Sequence, residues 1–330
     1  MTKTIKIIGK NGGHYEFQVF KYILSHIFTD YTVIGRFDNR NATKNIYVFG
    51  SLSLVPDYKK WEMKWKDNKK DQYIVKLDET FKDDLILFFS GESWDIDYVP
   101  YDNNNKCVVC SPYRDDRLNG VFNLPWISIV YISFHLANYI DKHQKNKDYS
   151  KKKHHIAYCV KERTNDRITF MNSLVKKFET TNRGKEIFSL GPHKIEGTTK
   201  DEKLPKYSSP NKPLVDKFNE FKFACVFENR ERKGYMTEKL LQAFLGNTIP
   251  IYQGDHELAK TLFNPNAMIC VRDFESYNHC IDHIYNMKEE DIQNMLNEPM
   301  FKDNKIPEVF DITNFETGIY GELAEYIRSL

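Results

Sequence analysis

Thr237, Glu238 and Lys239 stand side by side just ahead of an apolar run, and their types suit a nucleotide diphosphate. A threonine before helical apolar spacing is a good helix N-cap. The first turn of such a helix presents unpaired backbone N–H groups at the positive end of the helix dipole, which attract phosphate. Lys239 adds a full positive charge beside them. Glu238 in that turn suits the dipole but repels a phosphate, so its carboxylate is expected to face the hydroxyls of a sugar. Asn229 and Tyr235, slightly upstream, supply an amide and a phenol for a ribose or base. The competing reading is a capped amphipathic helix whose charges merely face water.

The elements that must position these residues can be read on either side. Phe221–Phe227 carries the large apolar residues of a short buried strand, and Glu228–Gly234 has loop composition. Leu240, Leu241, Phe244 and Leu245 form the stripe of a short helix, with Gly246 or Asn247 placed to close it in a left-handed C-cap. Ile249–Tyr252 leads into another strand that ends at Gly254. Strand, loop, helix, turn and strand in this order belong to a doubly wound sheet, where ligands lie beyond the carboxyl ends of the strands.

The residues Phe221-Lys222-Phe223, Phe227-Glu228-Asn229, Tyr235-x-Thr237-Glu238-Lys239-Leu240 and Pro250-Ile251-Tyr252-x-Gly254 resemble the signature of the α-1,3-fucosyltransferases, glycosyltransferase family 10. The likeness is dense over 221–254 and continues through Phe263-Asn264-Pro265 and Asp273-Phe274. It reaches more thinly back to Leu85, and residues 1–80 carry no family motif. The resemblance implies an α/β protein of the GT-B type, with two Rossmann-like domains facing a cleft. Residues 1–150 would bind the acceptor and 151–315 the GDP-sugar, and a terminal helix over 316–330 would cross back to the first domain. The implied reaction moves L-fucose from GDP-fucose to a glycan hydroxyl, with inversion and an α-1,3 linkage to a GlcNAc-type acceptor.

The same resemblance assigns roles. Glu92 follows the strand Leu85–Phe89 in Ser90-Gly91-Glu92-Ser93 and matches the family's strand-end Gly-Glu, whose glutamate is the general base. Arg167 matches a helix-start arginine that neutralises the donor diphosphate, together with Lys239 and the helix beginning at Thr237. Glu238 would hold fucose or ribose hydroxyls, Asn229 and Tyr235 the nucleotide, and Lys222 a further part of the donor. No cofactor is implied, and a divalent metal would at most stimulate. One departure bears on the donor: the family has a Ser-Asn pair before the Arg167 helix, and this chain has Lys161-Glu162-Arg163. That loop keeps a relative using another GDP-sugar open as an alternative, beside a metal-dependent transferase using Asp95 and Asp97 and a non-catalytic glycan- or nucleotide-binding protein.

The rest of the chain restricts the class. Its 330 residues suffice for two cores, and a net charge of +2 gives no field that would recruit nucleic acid or membrane. Ile5–Ile8, a glycine-bearing turn and apolar spacing from Phe17 to Ile27 open a Rossmann-like half, although Gly9, Gly12 and Gly13 lack the G-x-G-x-x-G spacing. Ile46–Phe49 reads as a strand, Tyr58–Asp84 as a charged insertion, and Arg117–Pro125 is similar to the family's Arg-containing strand. Asp141–His155 reads as a polar linker and Thr198–Val215 as a loop over the site. Further strands are expected at His155–Val160, at Phe188–Gly191 and at Met268–Val271, with a helix at Tyr277–Met287.

Cys107 and Cys110 form a CVVC without a second pair, so they are expected to be reduced strand residues on opposite faces. Asp95-Ile96-Asp97 has the spacing of a metal-binding D-x-D, a triplet common by chance, and His279 with His283 reads as a surface pair. The apolar run 121–140 contains Asn123, Pro125, His135 and Asn138, which argues for a buried strand and helix rather than a membrane span. MTKTIKIIGKNGG has too short an apolar run for a secretory signal. The expectation is a soluble cytoplasmic protein.

Overall fold

The structure, a computed structural model, describes residues 3–9, 15–35, 38–50, 61–65, 72–77, 85–89, 95–99, 106–112, 117–124, 152–159, 164–180, 186–190, 195–200 and 212–330. The chain divides into two compact units, Met1–Phe134 with Pro307–Leu330, and His135–Ile306.

The first unit runs β1 (Lys3–Gly9), α1 (Tyr15–Ile27), β2 (Tyr31–Gly35), β3 (Lys44–Gly50), β4 (Trp61–Trp65), β5 (Gln72–Leu77), β6 (Leu85–Phe89), β7 (Asp95–Val99), β8 (Lys106–Ser111) and β9 (Val121–Asn123). Its main sheet has the order β2-β1-β3-β6-β8-β9, with every pairing parallel. Side chains alternate across a strand, so Ile5 and Ile7, Ile46 and Val48, Leu85 and Leu87, and Val108 and Cys110 line one face. That face meets Phe20, Ile23, Leu24 and Ile27 of α1 in one core. Cys107 falls on the opposite face from Cys110 and is half-buried, and all six cysteines are free.

The segment read as a charged insertion carries two strands. β4 pairs antiparallel with β5, and β5 pairs parallel with β7, in a separate three-stranded sheet. The alternation Trp61, Met63, Trp65 is the period-two signal that the charge content had hidden.

The second unit runs β10 (His154–Tyr158), α2 (Asn165–Glu179), β11 (Ile187–Ser189), β12 (Thr199–Lys200), α3 (Lys212–Phe218), β13 (Phe221–Phe227), α4 (Glu238–Leu245), β14 (Ile249–Gln253), α5 (His256–Leu262), β15 (Ile269–Cys270), α6 (Tyr277–Asn286) and α7 (Glu289–Asn297). Its sheet order is β12-β11-β10-β13-β14-β15, again parallel throughout. Renumbered within the unit this is 3-2-1-4-5-6, the order of the dinucleotide-binding fold, whose direction reverses between its first and fourth strands. Here those strands are β10 and β13. Both faces of a parallel sheet are covered, so β13 and β14 are apolar nearly throughout. α2 buries Phe170, Met171, Leu174, Val175 and Phe178 along one stripe. It packs on α6 through edge-to-face pairs Phe170–Tyr277 and Phe178–Tyr285, with ring centroids 5.4 and 5.3 Å apart.

One local expectation changes. Of the segment 198–215 read as a loop, residues 199–200 form β12 and 212–215 begin α3, whose Pro213 sits in the first turn, where its missing N–H costs no helix bond; residues 201–211 lie outside the described ones. At the end of α4, Asn247, one of the two residues expected to close it, takes the left-handed conformation (φ 51°). Gly246 instead lets the helix end lie against Phe218 and Val215.

The last helix, α8 (Gly318–Ser329), belongs to the first unit. Its Ile319, Tyr320, Leu323 and Ile327 enter the core beside α1, and Arg328 Nε donates to the Ile27 carbonyl at 3.2 Å. Gly120, at φ 74°, leaves room for the Tyr326 hydroxyl; a Cβ there would lie 2.6 Å from it.

No helix among the described residues is long and apolar enough to cross a membrane. Within the apolar run 121–140, Val121–Asn123 is β9, and residues 125–140 lie outside the described ones.

Candidate active site

The carboxyl ends of β10, β13, β14 and β15 share one edge of the second sheet. Just past them stand Cys159, Glu228 with Asn229, Gly254 with Asp255, and Arg272. Arg167 joins this edge from the first turn of α2, and Thr237 and Lys239 join it from the start of α4.

Glu228 organises the cluster. Its backbone N–H donates to the Gln253 carbonyl at 2.8 Å, extending the β13–β14 ladder one residue past the strand. Its side chain is fully enclosed. One carboxylate oxygen accepts the Thr237 backbone N–H at 2.8 Å, and the other accepts the Thr237 hydroxyl at 2.7 Å. Lys239 Nζ lies 3.3 Å from Glu228 Oε2 and donates to Thr237 Oγ1 at 2.7 Å. Thr237 thus has the extended backbone of an N-cap, but its hydroxyl makes no capping bond. The Thr237 N–H is already occupied, so a phosphate would meet the N–H groups that follow it in the first turn of α4.

Lys239 keeps 22% of its side chain exposed, and Glu238 Oε1 stands 3.7 Å from its ammonium. Burial lowers the pKa of that ammonium, but the Glu228 and Glu238 carboxylates outweigh burial and the nearby Arg167 charge. Lys239 consequently titrates above its ordinary value. Tyr252 is buried behind the cluster, and burial, followed by the Glu228 and Asp255 charges, pushes its phenol well up. Gly254 is required by close approach, because a Cβ there would overlap the Tyr252 hydroxyl and lie 2.8 Å from Glu228 Cγ. Burial pushes the Cys159 thiol up to about 11, with Lys239 acting against the shift.

Arg167 is buried, with 1% of its surface exposed. Its Nη2 donates to the Phe227 carbonyl and, at 2.8 Å, to Asn229 Oδ1. A guanidinium Nη carries two protons, so both are taken. With Nη2 so committed, this arginine is not disposed to grip a phosphate in a bidentate fork. It holds the end of β13 and orients Asn229, and it brings a positive charge within electrostatic reach of Lys239.

The intervening loop is pinned along its length. Glu231 accepts two bonds from Arg272, at 2.7 and 2.6 Å. The Gly234 N–H, at a φ of 81°, donates to Asp255 Oδ2 at 2.5 Å, while Asp255 Oδ1 caps α5 through Leu258 N–H at 3.1 Å. Tyr235 is only 2% exposed, so its ring supports the loop from beneath instead of lying open to a base.

Asn229, Thr237, Glu238, Lys239 and Arg167 are thus brought to one edge, and Tyr235 lies just below them. Lys222 is not. It stands at the opposite end of β13, roughly 17 Å away at strand rise, and pairs with Glu289 of α7. Its assignment to the donor is withdrawn, since the ligand edge of a parallel sheet is the carboxyl one. Glu92 and the loop Lys161–Arg163 lie outside the described residues, as do the side chains of Asp95 and Asp97 on β7. His279 is exposed beside Glu275, and His283 lies against Phe274. Glu228 is the residue sequence reasoning missed: just past an apolar strand it reads as a loop residue, and its role rests on its bonds to Thr237.

Two parallel α/β units, with charged side chains gathered at the switch point of the second, define a GT-B type of glycosyltransferase fold. Residues 149–296 match the family model described as glycosyltransferase family 10 (fucosyltransferase) C-term. The chain is similar to "Alpha-(1,3)-fucosyltransferase FucT" of Helicobacter pylori, 42% identical over 66 residues, covering 20% of this chain and 14% of that protein. It is also similar to "Putative fucosyltransferase R654" of Acanthamoeba polyphaga mimivirus, 30% identical over 149 residues, covering 44% of this chain and 24% of that protein. The aligned segments thus span less than a quarter of either relative. Among solved structures, an α1,3-fucosyltransferase with GDP superposes with a TM-score of 0.62 at 16% identity, covering 99% of this chain and 89% of the other. The same kind of protein with GDP-fucose gives 0.58 at 16%, with 99% and 89% covered. At such identity the likeness is one of fold.

Proposed function

We propose that the protein transfers L-fucose from GDP-fucose to a glycan hydroxyl, with inversion at the anomeric carbon and an α-1,3 linkage to a GlcNAc-type acceptor. The observation that carries this reading is the Glu228–Thr237–Lys239 cluster at the β10/β13 switch point, inside the stretch that matches a fucosyltransferase family. In support, the similar proteins are named as fucosyltransferases, and two of the similar structures hold GDP or GDP-fucose.

In this reading the acceptor oxygen attacks the anomeric carbon from the face opposite the phosphate. Its proton passes to Glu92, because a sugar hydroxyl is a poor nucleophile until a positioned base takes the proton. The bond from the anomeric carbon to the β-phosphate oxygen breaks, and its electron pair leaves with GDP. Lys239 and the first turn of α4 stabilise the growing charge on the diphosphate, with the Arg167 charge behind them. Glu238 faces the fucose or ribose hydroxyls and Asn229, oriented by Arg167, faces the nucleotide. Protein cations already stand at the donor edge, so the proposal requires no divalent metal, and an added one would at most stimulate.

The testing experiment is transfer from GDP-fucose to a panel of GlcNAc-containing oligosaccharides in EDTA, with the product's anomeric configuration and linkage read by NMR. An α-linked fucosyl product is expected. A product of retained configuration, or no transfer to any acceptor, would contradict the reading.

A further inference from the structure

Lys239 is gripped from inside the protein and open on its other side. Thr237 Oγ1 at 2.7 Å and Glu228 Oε2 at 3.3 Å hold the ammonium, and 22% of the side chain remains exposed. The gripping carboxylate is enclosed and is tied at both oxygens to Thr237, so it has no freedom to follow Lys239 outward. The Thr237 hydroxyl donates to Glu228 and accepts from Lys239, which fixes the order of the three groups. Gly254 leaves room for Glu228 Cγ, where any side chain would push the carboxylate away.

We propose that Glu228 is a positioning residue of the donor site, which holds Lys239 in place as a cation, directly and through Thr237, before the diphosphate arrives. The inference rests on the donor reading above and adds a residue that does not itself touch the donor. The groups that face Lys239 are Glu228, Glu238, Arg167 and the Cys159 thiol. Tyr252, Asp255 and Tyr235 lie behind Glu228. Burial works against charge on the amine and Arg167 adds to that effect, while the two carboxylates oppose both. With Glu228 neutral, Glu238 alone opposes them, and the amine loses its proton at lower pH. Binding a diphosphate then requires proton uptake, which the wild-type protein does not need.

The test is calorimetry of GDP binding to the whole chain at pH 8 and pH 9, each in two buffers of different ionisation enthalpy, so that proton uptake is counted. Ionisations of the nucleotide itself are common to all variants and cancel in the comparison. Glu228→Gln is expected to take up more protons than wild type at pH 9 than at pH 8. Its affinity should fall relative to wild type by at least about threefold between the two, within the roughly tenfold limit for one linked proton. Adding Lys239→Arg to Glu228→Gln should abolish that pH dependence, because a guanidinium stays charged. If Glu228→Gln fails to fold by circular dichroism, Glu228→Asp, which draws the charge back, should show the same trend at smaller size. Wild-type proton counts in the folded variant would overturn the inference while leaving GDP binding intact. A wild-type protein that binds no GDP would overturn the donor reading itself.

Discussion

Glu228 and Thr237 are joined twice, the Thr237 N–H and hydroxyl both reaching the same enclosed carboxylate at 2.8 and 2.7 Å. The pair ties the end of β13 to the start of α4 across the loop that carries Asn229. Hydrogen bonds to a buried charge contribute about 1.5–3 kcal/mol each. Thr237→Val keeps the shape and the N–H bond but removes the hydroxyl. It should destabilise the protein by about 2–3 kcal/mol in urea unfolding. An unchanged midpoint would show that the hydroxyl bond contributes nothing net.

The two cations at this edge should behave differently when removed. Lys239→Ala is expected to weaken GDP binding by about tenfold to a hundredfold, the loss of one charge-assisted phosphate contact, with the fold retained. Arg167→Ala should weaken it too, and should also lower the melting temperature, because the Phe227 carbonyl and Asn229 lose their donor. Lys222→Ala, at the far end of β13, should leave GDP affinity within about twofold of wild type. Calorimetry and thermal melts on the three variants check this; equal losses from Lys222 and Lys239 would contradict the assignment of the edge.

The strand Phe221–Phe227 and the helix boundary at Thr237 could be read from local signals, an apolar run and an N-cap residue followed by a periodic stripe. Glu228 could not. A glutamate just past a strand reads as a loop residue, and only the fold shows that its partner, nine residues on, encloses it. Lys222 failed for a related reason: the motif gave its neighbours in sequence, whereas strand direction puts it at the wrong edge. Tyr235 was legible as part of the motif, but its burial comes from tertiary packing, which the motif does not carry. Arg167 was located correctly on its helix, and the surprise is that its protons serve the protein's own oxygens.

The base assignment separates from the donor contacts. Glu92→Gln preserves size but cannot accept a proton. Transfer should drop by about 10²–10⁴ while GDP affinity stays within about twofold. The acid limb of the wild-type rate profile should disappear in the variant. Retention of most transfer activity would remove Glu92 from the mechanism.

Buried thiols give an alkaline signature. Burial pushes Cys110, Cys270 and Cys280 from an ordinary value near 9 up to about 12. A group whose pKa is raised by folding has its full stabilising effect below the unfolded value and loses it as pH rises toward the folded one. Stability should therefore be level near pH 8 and decline above pH 9, by as much as about 1.4 kcal/mol per pH unit for each thiol. Urea midpoints at pH 8, 9.5 and 11 measure this, and a flat series would contradict the burial of these thiols.

The central claim, a GDP-fucose site at the β10/β13 edge, is tested most directly by acceptor-free donor hydrolysis. GDP-fucose, GDP-mannose and UDP-sugars are incubated separately with wild type and Lys239→Ala, and released nucleotide is measured. Hydrolysis of GDP-fucose at least about tenfold faster than any other donor, equivalent to about 1.4 kcal/mol of discrimination, and its loss in Lys239→Ala, is the predicted result. Preference for a UDP-sugar, or GDP-fucose hydrolysis that survives Lys239→Ala unchanged, would contradict it.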